Sequence, residues 1–139
     1  MNKKTLISTM IIIFLLWLGM QFYVQPGNEA KYVKQISEFF FIPIILLPEL
    51  SALITGSLAD GLWMMALCLV ILSIWEFKIS ATSISWYVIA ILIGISYEVL
   101  QSTDFIYGVF DWIDIVAISI GSAIPLIFLF KQSSNAQSN

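Results

Sequence analysis

Long apolar runs alternate with short polar stretches along the whole chain. Four runs approach the length of about 20 residues that crosses the hydrocarbon core of a bilayer, namely residues 5–24, 62–77, 83–101 and 111–130. Runs of this kind predict transmembrane helices, and no strand pattern competes with them. The sequence therefore predicts an all-α fold, a small transmembrane helix bundle formed as one membrane domain by residues 1–130, and a disordered polar tail at residues 131–139.

Residues 36–58 are ambiguous, because Pro43 interrupts their apolar block and Pro48 closes it. They fit an interfacial or re-entrant segment, which leaves four spans, or a kinked fifth span. Under the four-span arrangement with a cytoplasmic N-terminus, the cytoplasmic lysines are Lys3, Lys4, Lys78 and Lys131. A fifth span would place most of the lysines outside. The positive-inside rule therefore favours four spans in the cell membrane, with both termini in the cytoplasm.

Composition supports the membrane interpretation and excludes other classes. The chain is 60% hydrophobic and 11% charged, whereas about a quarter of the residues in soluble domains are charged. It has neither arginine nor histidine, and no basic tract, which argues against a nucleic-acid partner. The single cysteine, Cys68, lies in an apolar run and predicts neither a disulfide nor a zinc site. We expect no cofactor, and the lipid bilayer is the first predicted partner. The sequence does not determine the oligomeric state, and a homo-oligomer is one alternative.

Polar side chains interrupt the end of the third span and the start of the fourth. These are Glu98, Gln101, Asp111 and Asp114. A carboxylate at the centre of a membrane helix costs about 2.5 to 3.5 kcal/mol on insertion scales, so acids retained near one membrane edge indicate a functional site. Residues three apart share a helix face, and the short connection between the two spans predicts an antiparallel hairpin. Glu98 and Asp114 should therefore lie at similar depth.

Small residues follow the same two helices below the acids. Gly94 precedes Glu98 by one helical turn, and Ala117 and Gly121 follow Asp114. Stripes of small residues allow membrane helices to approach closely. The sequence therefore predicts close packing of the third span on the fourth.

Each acid also has a simpler interpretation. Asp111 and Asp114 have the spacing of a capping box, in which both satisfy free N–H groups at a helix start. Glu98 is harder to explain in this way, because it lies near a helix C-terminus, where the helix dipole disfavours an anion. Asp60 with Gly61 is interpreted first as a helix start, and its membership of the acidic cluster is the alternative.

A family resemblance rests on these same positions. The matching elements are Glu98-x-x-Gln101, Gly108-x-Phe110-Asp111-x-x-Asp114 and the small-residue helix through Gly121. In them the chain resembles the VanZ-like family of small bacterial multi-pass membrane proteins. It departs from the family in having no arginine before Asp111, and in having Ser119 where an asparagine is common. The resemblance implies a cell-envelope setting and a link to glycopeptide (teicoplanin) resistance, with no defined biochemical activity.

Three functions from different classes follow from the sequence. The first is a non-enzymatic protein whose acidic pocket, at the external membrane face, binds an envelope lipid, a lipid-linked precursor or a glycopeptide-type ligand. The second is an enzyme in which the clustered carboxylates hold a divalent cation, which is disfavoured by the lack of histidine, arginine and a nucleophile arrangement. The third is a structural subunit whose acids lock a helix hairpin. The sequence identifies neither catalytic residues nor a metal.

Overall fold

The chain folds as an all-helical structure over the residues that can be described. The computed structural model describes residues 3–23, 52–103, 105–106 and 108–137, together with residues 35, 38, 39, 41, 43 and 45. Four helices occupy these ranges: α1 (Lys3–Tyr23), α2 (Ala52–Ile74), α3 (Ala81–Gln101) and α4 (Trp112–Gln137). The described ranges contain no β-strand. The predicted all-α fold is thus confirmed.

Three of the helices are long and apolar enough to cross a membrane. These segments are Ile54–Ile74, Ala81–Gln101 and Trp112–Phe130, of 21, 21 and 19 residues. At about 1.5 Å of rise per residue, each extends for about 30 Å, close to the thickness of a hydrocarbon core. α1 contains a shorter apolar helical segment, Leu6–Phe22. By their length and composition, these helices are compatible with a membrane protein.

The bounds of α2 differ from the predicted span of residues 62–77. The helix begins about three turns earlier, at Ala52, so that Asp60 and Gly61 lie inside it and do not start it. No proline lies between residues 52 and 61, and a glycine inside a helix is tolerated where it allows close packing.

The C-terminal end of α2 is set by a Schellman motif. Glu76 has a left-handed backbone with φ 52°, and its N–H bonds the Ser73 carbonyl. The Phe77 N–H bonds the Leu72 carbonyl at 2.8 Å, which closes the wider ring of the motif. Phe77 also packs against the hydrophobic core. These contacts end α2 at Ile74, before residue 77.

α4 extends into the polar tail at residues 131–139, and the disorder that the sequence predicts for this tail stays a prediction. α4 continues without interruption to Gln137. The segment from residue 131 to residue 137 contains neither glycine nor proline, so nothing in it breaks the backbone hydrogen bonds that extend the helix from the apolar part. The helix therefore passes beyond the apolar segment that ends at Phe130.

α2 is the central helix of the bundle. It packs most extensively against α4 and α1, whereas α3 makes smaller contacts with α2 and α4. The prediction that the small residues of α4 face α3 is therefore wrong. A Cβ atom added to Gly61 would lie 2.9 Å from the Ala117 carbonyl oxygen, and one added to Gly121 would overlap the Gly61 carbonyl. Gly61 gives α2 a bare surface, and α4 packs on it.

The core lies between α2, α3 and α4. Its buried residues are Met64, Cys68, Leu72, Tyr87, Ile118 and Leu129. Cys68 is fully buried, as its apolar context predicts. The Tyr87 hydroxyl donates a hydrogen bond to the Ser122 carbonyl, next to the Gly121 carbonyl that Pro125 leaves without its usual helical donor. This bond ties α3 to α4.

In the segment 36–58, predicted as an interfacial segment or a kinked span, residues 52–58 form the first turns of α2, and residues 36, 37, 40, 42, 44 and 46–51 lie outside the described residues. Two residues that precede α2 form hydrogen bonds with α1. The Gln21 side-chain amide donates to the Pro43 carbonyl at 2.7 Å, and its oxygen accepts from the Ile45 N–H at 2.6 Å. The chain at Pro43 and Ile45 therefore lies against the C-terminal part of α1.

Candidate functional site

Three helices bring carboxylates together near one end of the bundle. One carboxylate oxygen from each of Asp60, Glu98 and Asp114 lies within 4.8 Å of the other two. We call these three residues the acid triad. Asp114 is in the first turn of α4, Glu98 is in the last turn of α3, and Asp60 is in the third turn of α2. The antiparallel order of α3 and α4 puts these positions at the same membrane edge.

Glu98 is the most enclosed member of the acid triad, with only 5% of its surface exposed. Its Oε1 accepts a long hydrogen bond, 3.4 Å, from the Gln101 amide nitrogen. Its Oε2 is buried and has no hydrogen-bond donor among the described residues. A buried carboxylate oxygen without a partner is costly, so a proton or a bound cation is needed to offset its lost hydration.

The aspartates of the acid triad are partly buried. The Ser57 hydroxyl donates a hydrogen bond to the Asp114 carboxylate. Ser57 is 3% exposed and lies three residues before Asp60, on the same face of α2. Ser57 is not among the site residues that the sequence predicts, although its position one turn before an acid in an apolar helix is a signal that points to it.

The charge of the acid triad is not balanced by any basic side chain that the structure describes. Lys78 is the one lysine whose side chain is described, and it forms an ion pair of 2.8 Å with Glu76 in the connection between α2 and α3, at the other end of the bundle. The hydrogen bond between the two side chains, together with the opposite charge of each partner, lowers the pKa of Glu76 and raises the pKa of Lys78. The three triad carboxylates therefore repel one another, and the repulsion favours capture of positive charge.

Asp111 caps α4, and its side chain lies outside the acid triad. Its Oδ1 accepts from the Ile113 N–H at 2.9 Å, and its carbonyl accepts from the Asp114 N–H at 3.2 Å. This is the N-cap role that was the simpler interpretation. The Asp114 side chain bonds Ser57 and belongs to the triad. The two aspartates thus have different roles.

Gln101 links Glu98 to the loop between α3 and α4. Its amide nitrogen points to Glu98, and a Cβ atom added to Gly108 would overlap its side chain. Glycine at position 108 therefore leaves the space that Gln101 occupies. This contact gives a physical reason for the pairing of Gln101 with Gly108 in the sequence pattern.

An apolar groove of about 370 Å³ lies between α2 and α4. Its lining is formed by aliphatic and small residues of the two helices together with Ser57, including Leu58, Leu62, Met65, Val116, Ile120 and Ile124. Because Ser57 both lines the groove and bonds Asp114, the groove and the acid triad are neighbours.

The side chains of the acid triad supply only oxygen atoms to a ligand. Oxygen donors suit hard cations, ammonium-type groups and shared protons. The chain has no histidine, and Cys68 is buried in the core, away from the triad. The arrangement thus fits binding of positive charge.

No protein-family model, curated protein or solved structure matches the chain. The resemblance to the VanZ-like family stays a prediction that rests on the residues given above.

Proposed function

We propose that this chain is a VanZ-like protein of the bacterial envelope that binds a positively charged group at the acid triad and acts without catalysis. The observation that carries the proposal is the convergence of Asp60, Glu98 and Asp114 from three helices, with a buried and unpartnered oxygen on Glu98. Three acids kept at one membrane edge, with no described basic side chain beside them, are arranged to receive a cation from outside the protein.

The groove between α2 and α4 supports an amphiphilic ligand. It lies within two of the helices that can cross a membrane, and its lining is almost wholly apolar. A hydrocarbon chain of an envelope lipid or lipid-linked precursor fits such a surface. Ser57 lies between the groove and the acid triad, so a ligand with a charged end and an apolar chain can contact both.

Teicoplanin susceptibility tests the proposal in cells. The wild-type chain, produced in a susceptible bacterium, is expected to raise the minimal inhibitory concentration of teicoplanin. The Glu98→Gln variant is expected to return it to the value of the empty vector, because a neutral amide replaces the buried charge. Glu76→Gln is the matched control, since Glu76 is 77% exposed at the other end of the bundle.

The comparison requires equal amounts of each variant in the membrane fraction. Protection that Glu98→Gln retains in full would contradict a role for the triad. A wild-type chain that gives no protection would contradict the resistance function.

Topology is the second test, because the proposal places the acid triad at the external face. Thr103 is exposed in the loop after α3 and is suitable for a single cysteine in a Cys68→Ser background. We expect an impermeant maleimide to label Thr103→Cys in intact cells, as four spans with cytoplasmic termini require. Labelling only after permeabilisation would place the triad on the cytoplasmic side and remove the external ligand.

A further inference from the structure

We propose that the acid triad is a binding site for one hard divalent cation of the size of Ca²⁺. This inference rests on the proposed function, in which the acid triad binds a positively charged group, and it identifies that group as a divalent metal ion. The ligands are one or more carboxylate oxygens from each of Asp60, Glu98 and Asp114.

The distances between the oxygens fit a single ion. Calcium binds carboxylate oxygens at about 2.3 to 2.6 Å, so two oxygens on opposite sides of one ion are at most about 5 Å apart. The three triad oxygens lie within 4.8 Å of one another. A common centre therefore lies at most about 2.8 Å from each oxygen, so side-chain shifts of a few tenths of an ångström bring all three to calcium bond lengths. Magnesium needs shorter bonds of about 2.0 to 2.1 Å and stricter geometry, so oxygens at the 4.8 Å limit would have to move closer together to bind it.

The state of Glu98 is an independent observation that points to a ligand. Its side chain is 5% exposed, and its Oε2 has no donor in the part of the chain that the structure describes. Glutamate binds calcium through one or both oxygens, so a coordinated ion would satisfy Oε2 as well as the oxygen nearest to the aspartates. Gln101 bonds only Oε1 and leaves this second oxygen free for the ion.

Charge and position both favour a divalent ion. Two positive charges leave one net negative charge on three carboxylates and remove most of their mutual repulsion. Glu98 and Asp114 lie in terminal turns of their helices, so an ion reaches them from the aqueous edge of the membrane. Calcium accepts six to eight ligands, which leaves positions for water or for the anionic end of a second ligand.

Equilibrium dialysis with radioactive Ca²⁺ tests the site on the purified full chain in detergent, after chelator treatment. We expect one ion per chain for the wild type. The affinity should fall about tenfold or more in Asp60→Asn and in Glu98→Gln, because each loses a charged ligand. Glu76→Gln should bind Ca²⁺ like the wild type, since it removes an exposed acid outside the triad. Circular dichroism confirms that each variant is helical.

The results separate this inference from the proposed function. A wild-type chain that binds no Ca²⁺ at millimolar concentration overturns the metal site, whatever the variants do. Binding that Glu98→Gln leaves unchanged overturns it as well. If the wild type still protects cells from teicoplanin in either case, the proposed function stands and the bound charge is an organic cation or a proton.

Discussion

Replacing Gly121 with alanine is expected to destabilise the bundle by about 1 to 3 kcal/mol. The added Cβ would overlap the Gly61 carbonyl, which is backbone and cannot rotate away. Relief of the overlap requires α2 and α4 to move apart, although these two helices pack extensively on each other. Alanine favours helix more than glycine by about 1 kcal/mol, so intrinsic propensity acts against the expected loss.

Gly56 provides the matched control for this substitution. It also lies inside α2, but a Cβ atom added to it meets nothing within 4 Å. We therefore expect Gly56→Ala to be neutral or slightly stabilising. The measurement is SDS-induced loss of helix in mixed micelles, followed by circular dichroism. Equal stability of Gly121→Ala and Gly56→Ala would show that α2 and α4 do not pack through Gly61 and Gly121.

Replacing Glu98 with glutamine is expected to stabilise the chelator-treated protein by about 1 kcal/mol or more. The change removes a buried carboxylate that needs a proton or a cation, and it adds an amide donor beside two aspartates. Buried charges can reduce stability: exchange of a buried ion pair or triad for hydrophobic residues of similar volume is often neutral or stabilising by about 1 to 4 kcal/mol. Added Ca²⁺ should then raise the melting temperature of the wild type but not that of the variant.

This result separates a binding site from a structural lock. If Glu98 held α3 to its neighbours, Glu98→Gln would lower the melting temperature in the absence of any ligand. Stability gained together with binding lost is the pattern of a residue kept for function at the expense of the fold. The comparison is made in one detergent, with size-exclusion chromatography to confirm an unchanged assembly state.

The all-helical fold of the described residues could be predicted from the sequence, because a long apolar run in a membrane must satisfy its backbone hydrogen bonds within a helix. The residue at which α2 begins could not be predicted from the sequence. Asp60 and Gly61 have the local pattern of a helix start, but Gly61 is placed where α4 needs a flat surface. The prediction that the small residues of α4 pack on α3 was likewise wrong. Their spacing identifies a packing face on α4 but does not identify the helix that covers it.

The candidate site was predictable where it depends on chain connectivity. A short connection between α3 and α4 puts Glu98 and Asp114 at the same depth, and the structure brings both into the acid triad. Asp60 is distant in sequence from Glu98 and Asp114. It belongs to the acid triad only because α2 packs between the other helices. The cap at Asp111 and the bond from Ser57 to Asp114 depend on side-chain orientation, which spacing does not determine.

α3 has the least extensive packing of the four described helices. Its contacts with α2 and α4 are smaller than those that α2 makes with α1 and α4, so we expect local unfolding to be easiest at α3. Departure of α3 carries Glu98 away from both aspartates and dismantles any shared coordination. A cation at the acid triad would therefore act as a reversible cross-link between distant segments of the chain, and its release would set how readily α3 exchanges between bound and open positions in the bilayer.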